Sequence, residues 1–159
     1  MAKVSRTAQY AVRAALELAQ RRGSVPVHLD QIATAQAAPR RFLKGILSGL
    51  VHAGLVESRR GAQGGYVLAS PPEEVTVQAI IETFDGPLSP VDCELCGGSK
   101  RCSLRDECRL AGMWEVAGKA LADVFGSVTL ADLVGGRIAP GSAPTVVAPP
   151  DAENRSDAG

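Results

Sequence analysis

One segment, bounded by Pro39 and Gly54, constrains this chain more than any other. Phe42, Leu43, Ile46, Leu47 and Leu50 recur at helical spacing as one apolar stripe, and Arg41, Lys44 and Ser48 make the opposite one. Proline suits the first turn of a helix and glycine the position just past its end, so a helix is predicted over 39–53. Upstream, Leu29, Ile32 and Ala33 form the inward face of a shorter helix near 29–36. It breaks at Ala37-Ala38-Pro39, because the residue before a proline is pushed out of the α region. Downstream, 55–59 and 65–69 are strand-like runs flanking Arg60-Gly61-Ala62-Gln63-Gly64, a predicted hairpin whose glycines imply positive φ or a close backbone approach. A first helix is predicted over 5–20, with Ala8, Ala11, Val12, Ala15, Leu16, Leu18 and Ala19 on its apolar face. Arg13, Glu17 and Gln20 lie off that face. Another is predicted over 76–85, with Val77, Ile80, Ile81 and Phe84 inward and Asp85-Gly86-Pro87 as its stop.

Two short helices, a tight break, a basic-faced helix and a glycine-tipped hairpin make a winged helix-turn-helix. A recognition helix buries one face on its domain while the other enters a major groove about 12 Å wide. Arg41, Lys44 and Ser48 are placed to reach base edges or phosphates together, with the small Gly45 and Gly49 letting the helix backbone come close. Arg59, Arg60 and Gly64 of the hairpin are candidates for phosphate or minor-groove contact. The formal charge of zero conceals a partition that supports this reading. Residues 1–66 carry ten Lys/Arg against three Asp/Glu, and the remainder carries seven against fourteen. Such asymmetry between halves is a hint of nucleic-acid interaction.

Other classes are excluded by composition and pattern. No apolar stretch suits a secretory signal or a membrane span, so a cytoplasmic protein with reduced thiols is expected. Aromatic residues are only 4% of the chain, too few for a base-stacking surface of the single-strand binding kind. The glycine-rich stretch 61–65 is followed by a strand rather than a helix, which argues against a phosphate-cradling loop. His28 and His52 are read as surface or capping residues. No nucleophile, histidine and acid are arranged as a catalytic set, so no enzyme is expected.

All four cysteines fall within 93–108, as Cys93-x2-Cys96-x5-Cys102-x5-Cys108. Four thiols in one loop suit an iron–sulfur cluster or a structural zinc ion; a metal-free thiol redox switch is the remaining alternative. Zinc sites usually pair short knuckles at both ends, and only Cys93 and Cys96 form one here. A thiol oxidoreductase using that knuckle lacks the βαβ context it usually has. Lys100, Arg101, Arg105 and Arg109 interleave with the thiols and would favour thiolates. Beyond the loop, Leu110, Trp114, Ala117, Leu121, Val124 and Val128 step by alternating fours and threes, an a/d seam that predicts a dimerisation helix. From Ala139 onward, thirteen of twenty-one residues are Ala, Pro, Gly or Ser, a composition read as a disordered tail.

The expected architecture is mostly α with a small β-hairpin. A winged helix-turn-helix domain spans 1–86, a cysteine-rich cluster-binding loop 87–109, a dimerisation helix with a short coda 110–138, and the tail 139–159.

Several pieces in this order resemble the IscR/NsrR-type winged-helix transcription regulators. They are Tyr10-Ala11-Val12-Arg13, Phe42-Leu43 leading into Leu50-Val51-His52-Ala53-Gly54-Leu55-Val56, and the wing Arg60-Gly61-Ala62-Gln63-Gly64-Gly65-Tyr66. The cysteine spacing and Val128-Thr129-Leu130-Ala131-Asp132-Leu133-Val134 complete the set, which covers roughly residues 1–136. The resemblance implies a homodimeric regulator that binds a double-stranded DNA operator. It also implies a [2Fe-2S] or [4Fe-4S] cluster on Cys96, Cys102 and Cys108 plus one further ligand. Family members supply that ligand from a histidine three residues beyond the last cysteine or an acidic residue in the first helix. Here those positions hold Ala111 and Gln9, which leaves Cys93 as the candidate fourth ligand. Lys44 stands where the best-known member has an acidic residue, so a guanine or phosphate contact is expected there rather than cytosine.

Overall fold

A computed structural model describes residues 4–21, 25–61, 63–91 and 108–137. Six helices and one hairpin follow in the order α1 (Arg6–Gln20), α2 (Leu29–Ala35), α3 (Arg40–His52), β1 (Val56–Arg59), β2 (Gly65–Leu68), α4 (Val77–Asp85), α5 (Ala111–Gly126) and α6 (Leu130–Gly135). The chain is mostly helical with a two-stranded antiparallel hairpin, as expected, and each predicted element forms within a residue or two of its expected ends.

The helix ends are set by local chemistry. The Ser5 hydroxyl accepts from the Ala8 N–H to start α1, and the Thr76 hydroxyl accepts from the Ala79 N–H to start α4. Thr129 and Asp132 form a reciprocal capping box on α6. The Thr129 hydroxyl and N–H, with Arg137, hold the Asp132 carboxyl below the usual carboxylate range. α3 ends in a Schellman motif: Gly54 sits at φ 74, its N–H donating to Val51 and that of Leu55 to Leu50. α2 ends in the same motif, with Ala37 and Ala38 donating to Thr34 and Ala33. There the left-handed residue is Ala37, at φ 47. A Cβ in that region costs roughly 1–2 kcal/mol, so the surrounding structure must hold this turn.

α1 is the central strut. Its small buried residues Ala8, Ala11, Ala14, Ala15 and Ala19 let α3, α4 and α6 approach it closely. Ile32, Leu43, Ile46, Leu47, Leu50, Val56 and Ile80 fill the space between them, and Phe42 alone of the predicted α3 stripe remains partly exposed. Glu17 departs from the expectation that it lies off the apolar face: it is only 7% exposed. Gly49 departs as well. A Cβ there would lie 2.7 Å from the Phe84 ring, so its smallness serves the packing of α3 on α4 rather than approach to an outside partner.

The C-terminal coda packs into the same core. Leu130 is fully buried beside α1, its N–H donates to the Val75 carbonyl (2.9 Å), and the Val77 N–H donates to Val128 (2.9 Å). Residues 1–86 therefore share their hydrophobic interior with α6.

Candidate nucleic-acid interface

α3 presents Arg41, Lys44, Gly45 and Ser48 on its exposed side, while Leu43, Ile46, Leu47 and Leu50 are buried beneath them. The predicted division of this helix into two stripes therefore holds at each of these positions, and a Cβ at Gly45 would meet nothing. Arg41 and Lys44, together with Arg40, Leu29 and Tyr66, line a cleft of about 460 Å³ between α3 and the hairpin. Arg40 forms an ion pair with Asp30 (3.0 Å) in which both side chains are about two-thirds exposed. Pairs of this kind contribute about 0–1 kcal/mol, so the guanidinium is readily released to another anion. Sequence reasoning did not assign Arg40 or Tyr66 to the interface. Arg40 was hidden by its place at the helix start, and Tyr66 by its apolar pattern within a strand.

The hairpin pairs Val56 with Leu68 through Arg59 with Gly65. Arg59 and Arg60 are exposed at its tip. Gly64 is buried and shapes the turn: its N–H donates to the Gly61 carbonyl (2.9 Å), and a Cβ on it would lie 2.4 Å from the Arg59 carbonyl oxygen. Gly65 is half-buried, but a Cβ on it would lie 2.6 Å from the Val27 carbonyl oxygen, because Val27 bridges to Tyr66 from the outer side of β2. Gly64→Ala is thus expected to cost about 1–3 kcal/mol of local wing stability. Faster hydrogen exchange at the Tyr66 amide, which donates to Val27, is the measurement that checks it.

Of the candidate metal ligands, Cys93, Cys96 and Cys102 lie outside the described residues. Cys108 is described, half-buried and ahead of α5, with exposed Arg109 beside it. Gln9, at the position of the alternative ligand, donates its side-chain amide to the Val4 carbonyl (2.7 Å). A four-thiol donor set fits a thiophilic metal or cluster.

α5 carries apolar surface that nothing among the described residues covers. Gly118 lies against Leu88 and Pro90, Phe125 packs with Val77 and Ile81 of α4, and Trp114 lines a groove of about 710 Å³ with Glu82 and 87–90. Leu110, Met113 and Val116 are 54%, 50% and 63% exposed, and Ala117, Leu121 and Val124 are half-buried. Of the predicted seam, Leu110 is exposed and Trp114, Ala117, Leu121 and Val124 are half-buried, and the exposed Met113 and Val116, which the heptad spacing passes over, add to the apolar surface.

Residues 4–136 match the family model Rrf2, described as an iron-dependent transcriptional regulator. The chain belongs to the Rrf2 family. This Rrf2 chain is 36% identical to the transcriptional regulator CymR of Bacillus subtilis over 132 residues, 82% of its own length and 88% of that protein. Among solved structures, it is similar to CymR, the global cysteine regulator of B. subtilis, with 34% identity, a TM-score of 0.72 and coverage of 86% and 98% of the two chains. It is similar also to IscR of T. potens, with 34% identity, a TM-score of 0.68 and coverage of 87% and 93%. The winged helix-turn-helix of this Rrf2 chain is accordingly that of a transcriptional regulator that binds DNA, not of an enzyme. Among the described residues, no helix is long and apolar enough to cross a membrane.

Proposed function

We propose that this Rrf2 regulator binds operator DNA as a homodimer and that an iron–sulfur cluster on its cysteine loop controls the binding. The observation that carries the DNA interface is the exposed row Arg41, Lys44 and Ser48 on α3, flanked by Arg59 and Arg60 on the wing. Arg41 and Lys44 would contact a guanine edge or phosphates, and the wing arginines the backbone or the adjacent minor groove. The exposed apolar side chains Leu110, Met113 and Val116 of α5, which nothing among the described residues covers, support a dimer built along that helix. Two recognition helices joined in this way would read half-sites one helical turn apart.

The cluster would be held by the thiolates of Cys96, Cys102 and Cys108, with Cys93 as the fourth. Bound there, it supplies a group sensitive to redox state, nitric oxide or iron–sulfur supply. The loop joins α4 of the DNA-binding half to α5, so its ordering would bear on the separation of the two α3 helices. Coupling of this sort typically amounts to about 1–3 kcal/mol, about 5–150-fold in affinity.

The test has two arms. Anaerobically purified protein is expected to be brown, with Cys96→Ala, Cys102→Ala and Cys108→Ala each colourless. A colourless wild type holding one zinc per chain would sink the sensor and leave a structural-zinc DNA binder; a metal-free protein with reversible thiol oxidation would leave a redox switch. In the second arm, Arg41→Ala or Lys44→Ala is expected to weaken operator binding by about 1–3 kcal/mol if a base contact is lost. Loss of a phosphate contact instead lowers the salt slope by about one. Unchanged affinity in gel shifts would discard the assignment of α3.

A further inference from the structure

Behind the recognition helix lies a polar network that the DNA-facing stripe does not include. Glu17, on the buried side of α1, accepts from Arg21 Nε through one oxygen and from Gln36 Nε2 (3.0 Å) through the other. Gln36 is the last residue of α2's C-terminal cap. Its side-chain oxygen accepts from Arg13 Nε (3.0 Å), and its backbone carbonyl accepts from a terminal nitrogen of the same guanidinium (3.0 Å). The Arg13 guanidinium also lies 5.0 Å from the centre of the Tyr10 ring, and Tyr10 meets Phe42 of α3 edge-on at 5.4 Å.

Each link has a physical reason. A buried carboxylate must be paired, and both Glu17 oxygens are. The final carbonyls of a helix lack partners within it, and Arg13 supplies one from another helix. The next residue, Ala37, occupies the left-handed region that alanine disfavours, so the turn between α2 and α3 needs outside support.

We propose that Arg13, Glu17 and Gln36 are positioning residues for sequence-specific DNA binding. They lock the turn against α1 and thereby set the angle at which α3 enters the groove. The proposal rests on the DNA-binding reading above and adds three residues that touch no DNA. Ser48 lies about 10 Å along the axis from Arg41, so a tilt of about 10° at the turn displaces it by about 2 Å. Hydrogen bonds to base edges do not survive such a shift, whereas non-specific attraction to phosphates largely does.

The test uses the full chain and a duplex it selects from a random pool, compared with a scrambled duplex. Gln36→Met removes the bridge at similar volume. Arg13→Lys keeps the charge but not the two-bond fork. Each is expected to lower affinity for the selected duplex about tenfold, the scale of a lost hydrogen bond to a charged group. Affinity for the scrambled duplex and the salt slope stay unchanged. Glu17→Gln, which retains one acceptor oxygen, is expected to fall between these variants and wild type.

If Arg13→Lys binds like wild type while Arg13→Ala loses about one unit of salt slope, Arg13 is a phosphate contact and the proposal fails. A lowered melting temperature with an unchanged ratio of selected to scrambled affinity also overturns it, since the network would then serve stability alone. If instead wild type selects no duplex, or Arg41→Ala and Lys44→Ala leave selection intact, the fault lies with the DNA-binding reading itself.

Discussion

Replacing Met113 and Val116 together by aspartate is expected to convert the proposed homodimer to a monomer and to weaken operator binding by at least about 10²-fold. These residues are half or more exposed on a helix otherwise rich in apolar side chains, where Leu110 is exposed as well and Ala117 and Val124 are half-buried. Two carboxylates in the middle of a packed helix pair would be buried facing their own symmetry copies, without partners. The loss in DNA affinity follows from connection rather than contact. Joining two recognition helices makes the second half-site an intramolecular event, and such linkage is worth about 10²–10⁴. Sedimentation gives the oligomeric state, and titration of a full and a half operator separates the lost linkage from any damage to α3. A variant that stays dimeric at micromolar concentration would place the dimer surface elsewhere.

Leu130→Ala is expected to destabilise the whole protein by about 2–5 kcal/mol, the range for a fully buried leucine truncated in a core. Total stabilities are about 5–15 kcal/mol, so this one change removes a large share. Leu130 lies in the C-terminal half of the chain, yet its side chain fills the interior shared by α1 and Val75, and it is 0% exposed. Denaturant unfolding monitored by the near-ultraviolet signal of Tyr10 and Tyr66, with Trp114 replaced by phenylalanine, therefore shifts its midpoint as a single transition. Val134→Ala, at a position 40% exposed on the same helix, is the comparison and should change stability little. Loss of α6 with the tyrosine transition unmoved would show that residues 1–86 hold together without it. The shared interior predicts the contrary. A fragment ending at residue 86 would expose the site Leu130 fills, so weak DNA binding by such a fragment would report its folding as much as its contacts.

What the sequence disclosed depended on how local the cause was. The α3 helix was legible because Pro39, Gly54 and a regular apolar stripe agree on its limits, and Arg41, Lys44 and Ser48 emerge on the exposed side as spaced. The hairpin was legible because its glycines have no other use. Glu17 was misplaced because a periodic pattern records the polarity of a residue and not the partners that chain folding brings to it; Arg21 is four residues away, but Gln36 is nineteen. The left-handed alanine at 37 carried no signal, since the support for that turn comes from Arg13 on another helix. On α5 the heptad spacing selected Trp114, which lines a groove beside 87–90, and passed over the more exposed Met113 and Val116. A helix apolar on most of its circumference has no single seam that periodicity can choose. Tyr66 escaped because its place beside Arg40, Arg41 and Lys44 depends on how the hairpin folds back toward α3.

The wing leaves one flank of its sheet open. Val27 covers the outer side of β2, but among the described residues no strand pairs with the outer side of β1. Unpaired strand edges are templates for addition of another chain, and proteins blunt them with brevity and charge. β1 is four residues long and exposes Glu57, Ser58 and Arg59 in succession. While the regulator is off its operator the wing stands free in solution, and charged side chains on so short an edge disfavour polymerisation through it. The arginine proposed to meet phosphate in the bound state thus has a second duty in the unbound one, keeping neighbouring wings from joining into a continuous sheet.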